Sequence, residues 1–305
     1  MSSLGFVAVP GAPEACPGCA STNVRHYPAS RRSHRSVIGC NSCGLRFWAE
    51  RATYQHDMDD PDGALTFDYE GYVNGKREGT AQAGWHEAVT MLSTELAGRP
   101  DLSLYDVGAG DGEFLALARE AGFAVSGNEL HAGAIDMAKA NYDVDLQLGE
   151  LSELGLENAY DAVTMWCVMA HVEDVDGLLN DCLRALKPGG ILFLQTPRWS
   201  SIDRLALSAL RVSGGRVNRI VDRRVAHHHW QLHTSSSMTA LLERLGFTDI
   251  QAIPKARYSL KSSMYLSSLG VPNGLAKVTG RAMDAAIQHG PVPRIVLDVF
   301  ARKPL

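Results

Sequence analysis

The sequence has no apolar run of membrane length, and aromatic residues make up only 7% of its 305 positions. A spanning helix needs about 20 consecutive apolar residues, so no membrane partner is expected. An excess of positive charge is missing as well: 29 lysines and arginines stand against 34 acids, a formal net charge of −5. That balance gives no general attraction to nucleic acid or to anionic lipid. The opening residues MSSLGFVAVPGAPEACP lack the basic start of a secretory signal. They read as a frayed tail, and the expected compartment is the cytoplasm. With no such signal, the six cysteines do not suggest a disulfide framework.

What is present is a hydrophobic content of 45%, enough for one large core or two smaller ones. The charge is unevenly spread. Six arginines against the single acid Glu50 lie between Ala20 and Arg51, and seven arginines against Asp203 and Asp222 lie between Arg198 and Trp230. Two basic islands therefore sit on an acidic body.

Four of the cysteines form Cys16-Pro-Gly-Cys19 and Cys40-Asn-Ser-Cys43, two C-x2-C pairs. Each pair fits a tight knuckle, and four thiolates facing one ion make a closed, tetrahedral, structural zinc site. The polar, arginine-rich stretch between the pairs is too poor in apolar residues to fold without metal. This segment, residues 1–52, is expected to be a zinc ribbon. Cys167 and Cys182 lie in apolar contexts and are expected to be plain core residues.

From Asp101 onward strand and helix patterns alternate. Strand-like runs occupy 102–108, 123–129, 144–149, 160–166 and 189–197, with helical patterns starting at Glu113, Ala132 and Asp174. Such alternation implies a parallel sheet with helices on both faces, whose ligands bind beyond the carboxyl ends of the strands. At one such end stands LYDVGAGDGEF, residues 104–114, with glycines at 108, 110 and 112. Glycine there lets the backbone turn tightly and lets a ligand lie against it. Asp106 closes this strand and Glu129 closes the next, where an acid suits a ribose. A dinucleotide fingerprint would read G-x-G-x-x-G and meet a pyrophosphate. Here Asp111 occupies the turn, and its carboxylate would repel a pyrophosphate while tolerating a sulfonium and an amino-acid group.

These residues resemble the class I S-adenosylmethionine-dependent methyltransferases, from about Leu102 to the C-terminus. The resemblance implies an α/β, Rossmann-like seven-stranded sheet with its last strand antiparallel. It implies S-adenosylmethionine as cofactor, its amino-acid end near Asp106, Gly108, Gly110 and Gly112. The VSGNEL motif would meet the ribose through Glu129 and Leu130, and Glu150 or Leu151 would meet the adenine. Trp166 would line the adenine side or pack in the core. Tyr69 and Tyr72 match aromatic positions that close over the cofactor or pack the linker. The segment HWQLHTSSSMTALLERLGF from His229 is similar to a bacterial group from polysaccharide and natural-product pathways that often carries a zinc ribbon. His233 departs from it, standing where that group has an aromatic. The expected organisation is ribbon 1–52, a linker and helical lead-in 53–100, and a cofactor domain 101–305 with a basic insert at 198–233.

Methyl transfer is an in-line displacement, so alignment supplies much of the catalysis. A hydroxyl acceptor also benefits from a base near pH 7, which favours histidine. His171 follows the fourth strand, and His227, His228, His229 and His233 lie in or beside the insert. His229 is the favoured base, with His171 and His233 as further candidates. Arginine in the insert suits a phosphorylated, nucleotide-linked or carboxylate-bearing acceptor. The expected activity is O-methylation of a sugar or natural-product hydroxyl. Methylation of ribosomal RNA, N- or C-methylation, and a non-catalytic binding module are the alternatives; nucleic acid is disfavoured by the negative total charge.

Overall fold

A computed structural model describes residues 13–49, 81–172, 174–225, 229–256, 262–289 and 293–305. Tyr69, Tyr72, His227 and His228 lie outside the described residues, as does segment 53–80. The chain begins with three short antiparallel strands, β1 (Val24–His26), β2 (Val37–Cys40) and β3 (Arg46–Trp48). Successive strand side chains point to opposite faces, and this small sheet uses both. Ile38 and Phe47 pack with Cys16, Cys40, Cys43 and Leu45. Val37 and Trp48 face the other way, into a second core with Trp199, Leu207, Leu210, Val221 and Leu232.

After helix α1 (Ala81–Glu95) the strands and helices alternate: β4 (Ser103–Val107), α2 (Glu113–Glu120), β5 (Ala124–Glu129), α3 (Ala132–Tyr142), β6 (Gln147–Leu148), β7 (Tyr160–Trp166), α4 (Val175–Ala185) and β8 (Leu186–Pro197). Two helices, α5 (Ser201–Val212) and α6 (Arg219–Val225), and the short strand β9 (Gln231–Leu232) follow. The chain ends with α7 (Ser235–Arg244), β10 (Thr248–Lys255), α8 (Ser262–Ser268), α9 (Asn273–His289) and β11 (Val296–Arg302). Seven strands form one sheet in the order β10-β11-β8-β7-β4-β5-β6, with β11 antiparallel to both neighbours. This is the Rossmann-like sheet the sequence implied. Its central strands β7 and β8 are buried along almost their whole length, as helices on both faces require. Among the described residues no helix is long and apolar enough to cross a membrane.

The third parallel strand is shorter than the apolar pattern at 144–149 suggested. Only Gln147 and Leu148 pair, with Asn128 and Glu129, because Val144 is drawn into the core beneath α3. The larger difference is β9. It leaves the insert and pairs with β3, Arg46 opposite Leu232 and Phe47 opposite Gln231, as a fourth strand of the cysteine-bearing sheet. Further bonds fasten the two parts. Thr234 Oγ1 donates to Cys43 O (2.9 Å), and Arg244 donates to Gly18 O (3.2 Å) and Pro17 O (2.8 Å), so α7 holds both knuckles. Ser30 and Ser33 donate to Asp222 of α6.

Within the knuckles the Sγ atoms of Cys16 and Cys43 are 3.6 Å apart, as are those of Cys19 and Cys40, and all four lie within 4.8 Å of one another. A tetrahedral zinc with Zn–S bonds of about 2.3 Å needs sulfur–sulfur edges of about 3.8 Å, so the donor set fits. A hydrogen bond from Cys43 pushes the Cys16 thiol down to about 5, while the same bond and burial push Cys43 up. Such a proton-sharing cluster gives up its protons when a divalent cation binds. Cys182 is the buried core residue expected, and burial pushes its thiol up.

His233 is fully buried. Its Nε2 donates to Gln231 Oε1 (3.0 Å), and its Nδ1 lies 3.2 Å from Ser237 Oγ. Burial pushes its pKa down to about 3, only partly offset by hydrogen bonding at Ser237. With both nitrogens engaged and no exposure, it cannot meet an acceptor, contrary to the sequence expectation for a third candidate base.

Gently purified protein is expected to contain about one zinc per chain by elemental analysis, reduced in Cys16→Ser. Zinc-free protein would contradict the ribbon assignment. His233 sets a pH dependence. The unfolded chain takes up a proton near pH 6.5 and the folded chain only near 3, so stability is full above about 6.5 and falls as pH drops. Between pH 7 and 5 this one group should cost about 2 kcal/mol, read from urea midpoints. His233→Gln should lose correspondingly less over that interval, and an unchanged pH dependence would contradict the assignment.

Candidate functional site

The carboxyl ends of β4, β5, β7 and β8 meet at one edge of the sheet, and the glycine-rich turn lies there. Gly108, Gly110 and Gly112 have φ of +65°, +60° and +77°, the left-handed region that side chains disfavour. Space matters as much as dihedral angle. A Cβ on Gly108 would stand 2.7 Å from Val168 Cγ2, and one on Gly112 would stand 2.9 Å from Ala138 Cβ. Gly112 thus lets α2 start close against α3, and Gly108 lets the turn close against the loop after β7.

Two carboxylates flank this turn. Asp106 is buried and accepts a 2.6 Å hydrogen bond from Thr164 Oγ1 on the neighbouring strand. Glu129, ending β5, accepts from the backbone N–H groups of Gly110 (2.9 Å), Leu130 (2.7 Å) and His131 (3.1 Å). A carboxylate offers about four lone-pair positions, so Glu129 is oriented by backbone while keeping capacity for a hydroxyl. The turn, two oriented acids and the open strand ends fit an adenosyl amino acid. Beyond them Leu130 is 44% exposed and Glu150 is exposed, whereas the Leu151 side chain is buried. Of that last residue only the backbone is available to an adenine. Trp166 instead packs in an aromatic cluster, its ring centroid 5.0 Å from Phe114 and 4.7 Å from Phe193. Its indole Nε1 is buried without a hydrogen-bond partner.

On the other side of the turn, His171 lies in a single 3-10 turn, Met169–His171, directly after β7. His229 comes from the far end of the insert, yet the two rings are 5.1 Å apart. His229 Nδ1 stands 3.3 Å from Arg224 O. A carbonyl can only accept, so the ring proton belongs on Nδ1 and the lone pair on Nε2. Cys167 joins them: its sulfur and one ring nitrogen of each histidine lie within 4.8 Å of one another. It was expected to be a plain core residue, but it is half-buried and held at φ +63°. Strained backbone of this kind gathers at functional sites. A Cys-x3-His spacing at a strand end was the available signal.

The insert arginines do not act as one group. Arg224 is committed to Asp203, at 2.8 Å with both side chains largely buried, and to Arg198 O (2.7 Å). Arg198 stands at the end of β8, donates from Nη1 to Arg294 O (2.9 Å) and keeps a buried Nε without a partner. Burial and the charges of Arg204 and Arg294 hold its guanidinium below the usual arginine range.

Comparison with known proteins agrees with this architecture. A family profile described as "Methyltransferase domain" matches residues 78–252. A Mycolicibacterium smegmatis protein named "Probable S-adenosylmethionine-dependent methyltransferase" is 29% identical over 199 residues, 62% of this chain and 70% of that protein. A ubiquinone biosynthesis O-methyltransferase from Xanthomonas oryzae pv. oryzae is 28% identical over 45% of this chain, and the match spans only 59% of that enzyme's length. Among solved structures, a Haemonchus contortus phosphoethanolamine N-methyltransferase with bound S-adenosyl-L-methionine superposes with a TM-score of 0.54. It covers 85% of this chain and 62% of its own at 16% identity, a likeness of fold alone. With more than half its length in the family profile, the chain belongs to the methyltransferase-domain family and is an S-adenosylmethionine-dependent methyltransferase.

Proposed function

We propose that the protein methylates a hydroxyl of a small, anionic acceptor, such as a nucleotide-linked sugar or natural-product intermediate. S-adenosylmethionine would supply a methyl group activated on a sulfonium sulfur. The chain's task is then to hold the cofactor, align the acceptor and take its proton. Asp106 and the backbone of Gly108, Gly110 and Gly112 would receive the amino-acid end, Glu129 and Leu130 the ribose, and Glu150 with the Leu151 backbone the adenine.

One observation carries the reading most: His171 and His229 converge to 5.1 Å although 58 positions separate them in sequence. The same loop covers the glycine turn through Val168, so an acceptor beside the methyl group would lie near both rings. With Nδ1 turned to Arg224 O, His229 presents Nε2 as the base. Among the described residues, His171 and the Cys167 thiol stand beside it, and His171 can share the proton. Support for an anionic acceptor comes from Arg198, whose unpartnered Nε and like-charged neighbours Arg204 and Arg294 favour a phosphate or carboxylate. Arg224 is excluded from that role by its bond to Asp203.

Asp106→Ala and Glu129→Ala should each weaken S-adenosylmethionine binding in calorimetry by about 1.5–3 kcal/mol, the usual loss for a charge-assisted hydrogen bond. Unchanged affinity in both would contradict the cofactor assignment. His229→Ala should lower methyl transfer from radiolabelled S-adenosylmethionine to a panel of nucleotide-linked sugars by about a hundredfold, with cofactor affinity intact. The acidic limb of the pH–rate profile should disappear with it. Normal turnover with an unaltered profile would remove His229 as base and leave His171.

A further inference from the structure

The contact between the cysteine-bearing sheet and the acceptor side is specific enough to assign a role to it. Trp48, the last residue of β3, donates from Nε1 to the backbone carbonyl of His229 (3.2 Å), while its own backbone N–H donates to Trp230 O (3.2 Å). From the opposite side Trp230 N–H donates to Ala170 O (2.8 Å), the residue before His171. His229 and His171 are thus brought together by one chain of hydrogen bonds running from the ribbon through Trp230 to the turn after β7. Two residues on, β9 continues the grip by pairing with Arg46 and Phe47.

The metal knuckle lies at the start of this chain. Cys40 ends β2 and Cys43 lies in the turn into β3, so their position sets where β3 runs and where Trp48 reaches. Trp48 is buried in the second core with Arg35 5.7 Å above its ring, so the indole is held in place. With Trp230 it also lines a cavity of about 360 Å3 between the ribbon and the start of α4. The hydrogen bond to His229 O ties that fixed ring to the histidine.

We propose that Trp48 is a positioning residue for His229, and that the four-cysteine site acts through it to set the geometry of the histidine pair. This inference rests on the reading of His229 as a group of the acceptor site, but the coupling itself can be read without any acceptor. Among the described residues, the Cys167 sulfur and His171 stand beside the His229 ring, and Arg224 turns its backbone carbonyl to it. A displaced ring changes its distance to these groups, and its titration should report that.

The test uses the full chain with metal bound. The His229 ring resonance is assigned by its loss in His229→Gln, and its titration is followed by NMR alongside zinc content and calorimetric S-adenosylmethionine affinity. Trp48→Phe keeps an aromatic ring and deletes the N–H donor. It should move the His229 titration midpoint by about half a pH unit or more, while zinc content and cofactor affinity stay at the wild-type level. Trp199→Phe, in the same apolar cluster but without a side-chain bond to His229 O, should leave the midpoint in place. An unmoved midpoint in Trp48→Phe, or an equal shift in Trp199→Phe, overturns the proposal. Should Trp48→Phe not fold, zinc removal by a chelator decides: a shifted midpoint with cofactor affinity retained supports the coupling. An unmoved midpoint, or loss of cofactor affinity together with the shift, overturns it in favour of a purely scaffolding ribbon. A normal turnover in His229→Ala would refute the base reading while leaving this measured coupling intact, so the two failures are distinguishable.

Discussion

The stretch from His229 to Thr234 hydrogen-bonds to three separate parts of the molecule, and the site exists because it does. On one side Trp48 and β3 hold it to the ribbon. On the other, Trp230 bonds to Ala170, and His233 O accepts from Trp199 N–H at the end of β8. Backbone buried as it is at Gln231–His233 must pair its polar groups, and along this stretch the partners come from elements distant in sequence. His229 is consequently placed by the fold of the whole chain, while His171 is placed by the strand just before it.

The glycine turn imposes the complementary constraint. Three left-handed residues in five positions are costly to hold, and the neighbours explain why they are kept. Val168 and Ala138 occupy the space that side chains at Gly108 and Gly112 would need. The turn is therefore fixed by α3 on one side and by the loop carrying His171 on the other. Glu129 closes it by accepting from Gly110 N–H. The glycine turn and the histidine pair are two faces of one packed loop system, the arrangement that the proposed in-line transfer between two ligands would need.

Much of this was legible in the sequence, for a physical reason. Parallel strands buried on both faces read as apolar runs, and glycines in left-handed turns leave a spaced pattern, so β4, β7, β8 and the glycine turn stand out locally. The cysteine knuckles are legible in the same way, because two thiols per turn fix the spacing. What was not legible depends on pairing over distance. Gln231 and Leu232 are two residues long, too few for a strand period, and only Arg46 and Phe47 make them a strand. His233 looked like a candidate base beside three other histidines, and only the enclosure by Gln231 and Ser237 shows it to be buried. Arg224 is one of the insert arginines that suited an anion, but Asp203, which closes the capping box that Ser200 begins at the start of α5, holds it. Cys167 was read by its apolar neighbours, whereas its side chain turns toward His171 and His229.

The central claim is that the cradle and the histidine pair face one reacting centre. A crystal structure of the full chain with S-adenosylhomocysteine tests it most directly. The account predicts a ribose hydroxyl on Glu129, the amino-acid end along Gly108–Gly112, and the sulfur facing the space bounded by Cys167, His171 and His229. A cofactor product seated elsewhere, or a sulfur turned away from both histidines with the protein otherwise unchanged, would contradict it.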